Sequence, residues 1–181
     1  MGDIDYSPND LSLAPAIGEG IMQTERCFSC GGFYTPIDGP THAYMASSPG
    51  CWAAYGEWLA REYQDPALFQ TAHRFTVDAY ALQHPGDAAD RRAVQSVWLH
   101  AASLFVIFER GWSPAAATDL LKRLAGRDFP PPDAPARAFA MTVADGLARP
   151  VSEHAGFARN WAQESLSAWS ALHSDLAALT N

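Results

Sequence analysis

The sequence predicts a mainly α-helical bundle with a treble-clef-like, metal-bound β-hairpin at its N-terminal end. Three observations predict it. Segments from residue 47 onward repeat apolar residues at three- and four-residue steps. Ser, Asp and Pro cap signals open those segments, and Gly or Pro closes them. All three cysteines, Cys27, Cys30 and Cys51, lie in the first third of the chain.

Residues 1–23, rich in Asp, Pro, Ser and Gly, read as an irregular arm. Residues 24–181 read as one helical domain that includes a metal-binding hairpin at 24–50. Within it, Phe33-Tyr34-Thr35 and Thr41–Met45 read as two strands, because Asp38-Gly39 between them is a strong hairpin cue. Ser48-Pro49 opens a first helix that runs to about Tyr63. Asp65-Pro66 restarts a second, which stops before Pro85-Gly86. A third covers 89–110, with Val94, Val97, Trp98, Ala101, Leu104, Phe105 and Phe108 on its apolar face and Gly111 at its end. Ser113-Pro114 caps a fourth, closed by Gly126, and Phe129–Pro135 is a stiff linker. A last helix spans 152–178, with Phe157, Trp161, Ala168, Leu172 and Leu176 along one stripe.

Composition bounds the function. The 181 residues are 48% apolar and 18% charged, a balance that suits one globular core. The formal charge is −8, and the 12 Lys and Arg are scattered. Nucleic acid and anionic membrane both call for a concentrated basic face, so neither is an expected partner. No apolar run approaches the ~20 residues that span a bilayer. The acidic start, Met1-Gly-Asp-Ile-Asp5, lacks the basic opening of a signal peptide, which points to the cytoplasm. In a reducing compartment, an odd count of three cysteines is better explained by thiolate ligands than by disulfides.

Cys27-x-x-Cys30-Gly31 puts two thiolates on one tight turn, and a Gly after the second can take positive φ. Cys51 then falls in the first turn of a helix, whose dipole favours thiolate. The order resembles a treble-clef zinc site, although Ala54 stands where a second helical cysteine is usual. Zinc is the expected cofactor. A redox Cys-x-x-Cys is disfavoured by Gly31-Gly32 and the aromatic strand that follows, and three unliganded buried thiols are the plain alternative. Two histidines compete for the fourth position. His42 completes Cys-x2-Cys-x11-His-x8-Cys and is narrowly preferred, although a regular hairpin leaves it near the far turn. His84 lies six residues beyond the level of Cys51 when the first two helices fold antiparallel, an overshoot of ~9 Å toward the knuckle.

A second constellation sits in the bundle. Folding the helices about their turns brings His73, His100 and Glu57 to one level, where they form a candidate acid–base or metal layer. Asp78 is counted with them, although pairing with Arg74 one turn back is its simpler use. His154 and His173, on the last helix, read as solvent-facing or packing residues.

The motifs Cys27-x-x-Cys30-Gly31, Gly39-Pro-Thr-His-x-Tyr44, Ser48-Pro-Gly-Cys-Trp52, Val77-Asp-Ala-Tyr80 with Gln83-His-Pro-Gly86, and Ser96-Val-Trp-Leu-His100 are specific as a set. Over residues 27–111 the chain resembles a bacterial family known as a domain of unknown function. The resemblance implies metal-capable residues and no reaction. Two functions follow as expectations: a zinc-binding helical protein whose metal fixes the hairpin to the bundle, or a small metal-dependent enzyme, hydrolase-like or of secondary metabolism, that uses the His/Glu layer or an open zinc position taken by water or substrate. The first calls for a protein partner and the second for a small-molecule substrate.

Overall fold

The structure, a computed structural model, describes residues 23–181. It is mainly helical, with one two-stranded antiparallel hairpin near its N-terminal end. Strand β1 is Glu25–Arg26 and β2 is Phe33–Tyr34, in register Glu25↔Tyr34 and Arg26↔Phe33. The expected arm at 1–23 lies almost wholly outside the described residues.

The first, second and fourth helices start at the residues their cap signals mark, and the third starts at Arg91, two residues after its expected start. Ser48 Oγ accepts from Cys51 N–H at 3.3 Å and opens α1, Pro49–Gln64. Asp65 Oδ1 accepts from Ala67 and Leu68 N–H and opens α2, Pro66–Gln83. Asp90 caps α3, Arg91–Arg110, which ends on Gly111 in the left-handed conformation at φ 68°. Ser113 caps α4, Pro114–Leu124. Each cap satisfies an N–H that has no partner inside its helix.

Two elements depart from the sequence reading. Thr41–Met45 forms no strand, and the hairpin instead closes around the Cys27–Cys30 knuckle. Pro36 and Pro40 flank the Asp38-Gly39 turn and remove backbone donors that a ladder there would need. The expected last helix is broken into α6, His154–Ala168, and α7, His173–Leu179, by a 3-10 turn at Ser170–Leu172. At the break, Trp169 leaves helical geometry and its indole N–H donates to Leu82 O at 3.0 Å. A short α5, Val143–Leu147, precedes α6 and is held by the reciprocal Thr142–Asp145 cap.

Helix α2 is the axis of the arrangement. It packs on α1, α3 and most extensively α6, and the interior between them holds Trp58, Trp161, Tyr80 and Leu104 with almost no exposure. No helix among the described residues is long and apolar enough to cross a membrane.

Candidate metal centre

Three elements deliver side chains to one buried point. The knuckle comes first. Cys27 N–H donates to Gly32 O at 2.8 Å and Gly31 N–H to Cys27 O at 3.0 Å, which closes the turn between β1 and β2. Gly31 sits at φ 79°, where any larger residue is strained. The start of α1 comes second and supplies Cys51. The end of α2 comes third: His84 follows its last residue, Gln83.

The donor atoms of Cys27, Cys30, Cys51 and His84 all lie within 4.8 Å of one another, and all four residues are buried. Cys30 and Cys51 sulfurs are 3.8 Å apart. His84 Nε2 lies 3.2 Å from Cys51 Sγ and 3.7 Å from Cys27 Sγ. The other ring nitrogen, Nδ1, is 2.7 Å from Tyr80 O. A carbonyl only accepts, so Nδ1 carries a proton, and Nε2 is the nitrogen that faces the sulfurs and offers them a lone pair once the ring is neutral. A group of this kind could hold a metal ion.

Protons on these groups are shared. Hydrogen bonds from Cys30 and Cys51 hold the Cys27 thiol far below its usual range, against the effect of burial. The same contacts with Cys27 and Cys30, together with burial, push Cys51 far up. Burial pulls His84 down, but its contacts with Cys27 and Cys30 prevail and raise it to about 9. One thiolate therefore forms easily and the last with difficulty, unless a dication takes the place of the protons. Two phenols face the sulfurs: Tyr34 OH at 3.5 Å from Cys30 and Tyr80 OH at 3.6 Å from Cys51. Burial, and then the charge of neighbouring cysteines, raises both phenols, so they stay protonated and donate to sulfur.

His42, the preferred fourth ligand on sequence grounds, lies outside this group. Its ring packs on Tyr44 and Trp52 at 4.4 and 5.3 Å, and its Nδ1 accepts from Tyr44 N–H. Without a strand at Thr41–Met45, nothing carries it back to the knuckle. His84 takes the place beside the sulfurs. The fourth donor thus comes from the end of α2, not from a second turn of α1 at Ala54.

The histidine layer separates into two clusters. His73 Nδ1 is 2.8 Å from Glu62 Oε2, not from Glu57. Glu57 is exposed, whereas Glu62 is fully buried on the α1 stripe of Cys51, Tyr55 and Trp58. Side chains on α2 also lean toward its N-terminus, hence toward Glu62 near the turn. Glu62 Oε1 accepts from Thr76 Oγ1 and from His154 Nε2, the latter at 2.9 Å. Burial alone would raise the Glu62 carboxyl, but hydrogen bonds from His154, His73 and Thr76 hold it below its ordinary value. His154 is therefore a packing residue at the centre of the molecule, stacked on Trp58 at 3.6 Å. In the second cluster, His100 Nδ1 is 2.7 Å from Asp78 Oδ1, which also accepts from Arg74 at 3.0 Å, while Ser103 donates to Oδ2 at 2.6 Å. His73 and His100 are thus held by different carboxylates.

Sequence reasoning missed Glu62, Thr76 and His154. The signal was available for Glu62, which continues the three- and four-residue spacing of Cys51, Tyr55 and Trp58.

Comparison with curated proteins and with solved structures gives no match. A family model described as "Family of unknown function (DUF5946)" matches residues 25–170, a span that takes in all four donors and both carboxylate clusters, and the chain belongs to that family.

Proposed function

We propose that the protein binds one zinc ion through Cys27, Cys30, Cys51 and His84, and that the ion fixes the hairpin to α1 and α2. One observation carries the reading: the four donor atoms lie within 4.8 Å of one another, close enough to share one ion. Metal–sulfur bonds of ~2.3 Å and a metal–nitrogen bond of ~2.0 Å predict edges of ~3.8 Å between sulfurs and ~3.5 Å from sulfur to nitrogen. Three of the six edges in the structure are 3.8 Å for sulfur to sulfur, and 3.2 and 3.7 Å for sulfur to nitrogen. A two-iron cluster, by contrast, holds its terminal ligands in two well-separated pairs, so the spacing favours a single ion.

The donor set supports a structural role. Four protein ligands fill a tetrahedral ion, whereas catalytic zinc keeps a position for water or substrate. Three thiolates and a neutral imidazole leave the centre with one negative charge, which hydrogen bonds from Tyr34 and Tyr80 moderate. Such a site suits the reducing conditions of a cytoplasm. The enzyme reading through His73, His100, Glu57 and Asp78 has less support, because each ring is held by its own buried carboxylate and Glu57 stands apart.

Elemental analysis of the purified protein tests the proposal, with about one zinc per chain expected. Cobalt substitution should give the intense visible bands of a tetrahedral thiolate site. Protein that is free of metal as purified, and takes up neither ion when offered, would remove the reading.

A further inference from the structure

The four donors of the candidate metal centre are not equally enclosed. Cys51 has no exposed surface, Cys27 and His84 keep 1% each, and Cys30 keeps 4%. Cys30 also lies in the walls of two cavities. One, about 350 Å³, is bounded by the knuckle turn and residues 135–139, and it touches Cys27 as well. The other, about 380 Å³, lies between Gly31, Gly32 and Phe33 on one side and residues 138–140 on the other. Both admit molecules of the size of water, and neither is lined by Cys51 or His84. A small oxidant arriving from solvent therefore meets Cys30 from two sides.

A second sulfur stands ready behind it. Cys51 Sγ is 3.8 Å from Cys30 Sγ, close to van der Waals contact, although the two residues are 21 positions apart. Such a pair differs from a redox Cys-x-x-Cys, because its two members belong to different elements, the knuckle and α1.

We propose that Cys30 and Cys51 form an oxidisable pair, which hydrogen peroxide converts to a disulfide with release of the ion. The proposal rests on the zinc reading, which supplies the ion. The Cys30 thiolate attacks one peroxide oxygen, the O–O bond breaks, and a sulfenic acid forms on Cys30. The departing hydroxide takes a proton from solvent and becomes water. The Cys51 thiolate then attacks the Cys30 sulfur, the S–O bond breaks, and a second hydroxide leaves and is protonated in the same way. The two sulfurs together lose two electrons, and one peroxide is reduced to two waters. Cys27 and His84 are then only two of the four ligands that a structural ion needs, so the site lets it go. The new bond keeps the knuckle on α1, while the end of α2 loses its tie through His84. Oxidation thus frees the α2 end and leaves the hairpin attached.

Hydrogen peroxide added to the zinc-loaded full chain tests it. Zinc release is followed with a chromogenic chelator, and disulfides are mapped by mass spectrometry of unreduced peptides. Free zinc and the Cys30–Cys51 disulfide should appear in equal amounts, and a dithiol reductant with added zinc should reverse both. Dimedone, which traps sulfenic acids, should label Cys30 in preference to Cys27 and Cys51. Ala138→Trp should slow release severalfold with metal content and melting unchanged, because Ala138 is exposed and lines both cavities. Release from this variant at the wild-type rate would overturn the entry at Cys30. A disulfide that includes Cys27, or zinc retained in excess peroxide, would overturn the pair and leave the zinc reading standing. A chain that takes up no metal but forms the Cys30–Cys51 disulfide would support the pair and remove the zinc reading.

Discussion

At the hairpin end, three sulfurs and His84 Nε2 point at one place. In the middle of the bundle, Glu62 and Asp78 each receive donors from several directions. Both regions are buried, and both combine histidine with acidic groups. They differ in where the lone pairs go. At the hairpin end the donor atoms converge, and a cation could satisfy them once the thiols ionise. Around Glu62 and Asp78 every carboxylate oxygen already meets an N–H or O–H, so neither carboxylate needs an ion. Counts of histidines and carboxylates do not separate a metal site from a packing cluster, but the direction of their lone pairs does.

The largest effect should come from the hairpin end. Cys51→Ala should abolish metal binding and lower the melting temperature more than a substitution at Glu62 or His42, because a structural zinc contributes ~10 kcal/mol in small zinc domains. His84→Ala should lose metal as well, read by elemental analysis and thermal melting together. Wild-type melting that a strong chelator leaves unchanged would break the contrast between the two regions.

Glu62→Ala comes next. It leaves His73 and His154 without their shared acceptor and should cost ~3–5 kcal/mol in urea unfolding, as when one partner of a buried pair is removed. Metal content should stay at the wild-type level. Loss of metal in this variant would mean that the two regions are not independent.

The same carboxylate makes stability depend on pH. Its native pKa lies below its ordinary value, so the unfolded chain binds the proton more readily than the folded one. The stabilisation is therefore present above the unfolded value of ~4.3 and is lost as pH falls through the lower native value. Metal leaves at low pH too, so the informative quantity is the gap between wild type and Glu62→Gln. That gap should be wide at pH 6 and narrow below pH 4 in denaturant titrations of both proteins. A gap of constant width would show that folding leaves the Glu62 pKa at its ordinary value.

The smallest effect should be that of His42→Ala. It removes edge contacts with Tyr44 and Trp52, worth ~0.5–1.5 kcal/mol for such ring pairs, and should leave the metal bound. Loss of metal in this variant would return His42 to the ligand set.

Much of the fold is legible in the sequence because it is written locally. Ser48, Asp65 and Ser113 each mark a helix start with a cap, and a cap acts over three or four residues. The knuckle is legible for the same reason, since Cys27, Cys30 and Gly31 form a turn by themselves. The fourth donor is not, because His84 reaches the site only through the packing of α1 against α2, and one helix turn of register decides between it and His42. The Asp38-Gly39 cue misplaces the hairpin because its pull is cancelled by the prolines on either side. Glu62 escapes a sequence reading because a carboxylate on an apolar stripe looks like an exception until its three donors, from two other helices, are in view.

Cys27 and Cys30 are three positions apart, but Cys27 and His84 are separated by 57. An ion held by both acts as a staple across a long stretch of chain and so restricts the unfolded ensemble. By analogy with a disulfide, closing a loop of this length is worth between ~3 and ~5 kcal/mol of chain entropy. The spacing also orders events in time. The knuckle cysteines can capture an ion while the chain is still open, because their turn needs no other element. On the proposed zinc reading Cys51 would join when α1 docks, and His84 only when α2 has folded back along it. On the same reading release would reverse the order, and the rate at which a chelator strips the ion from native protein should follow the opening of the α2 end.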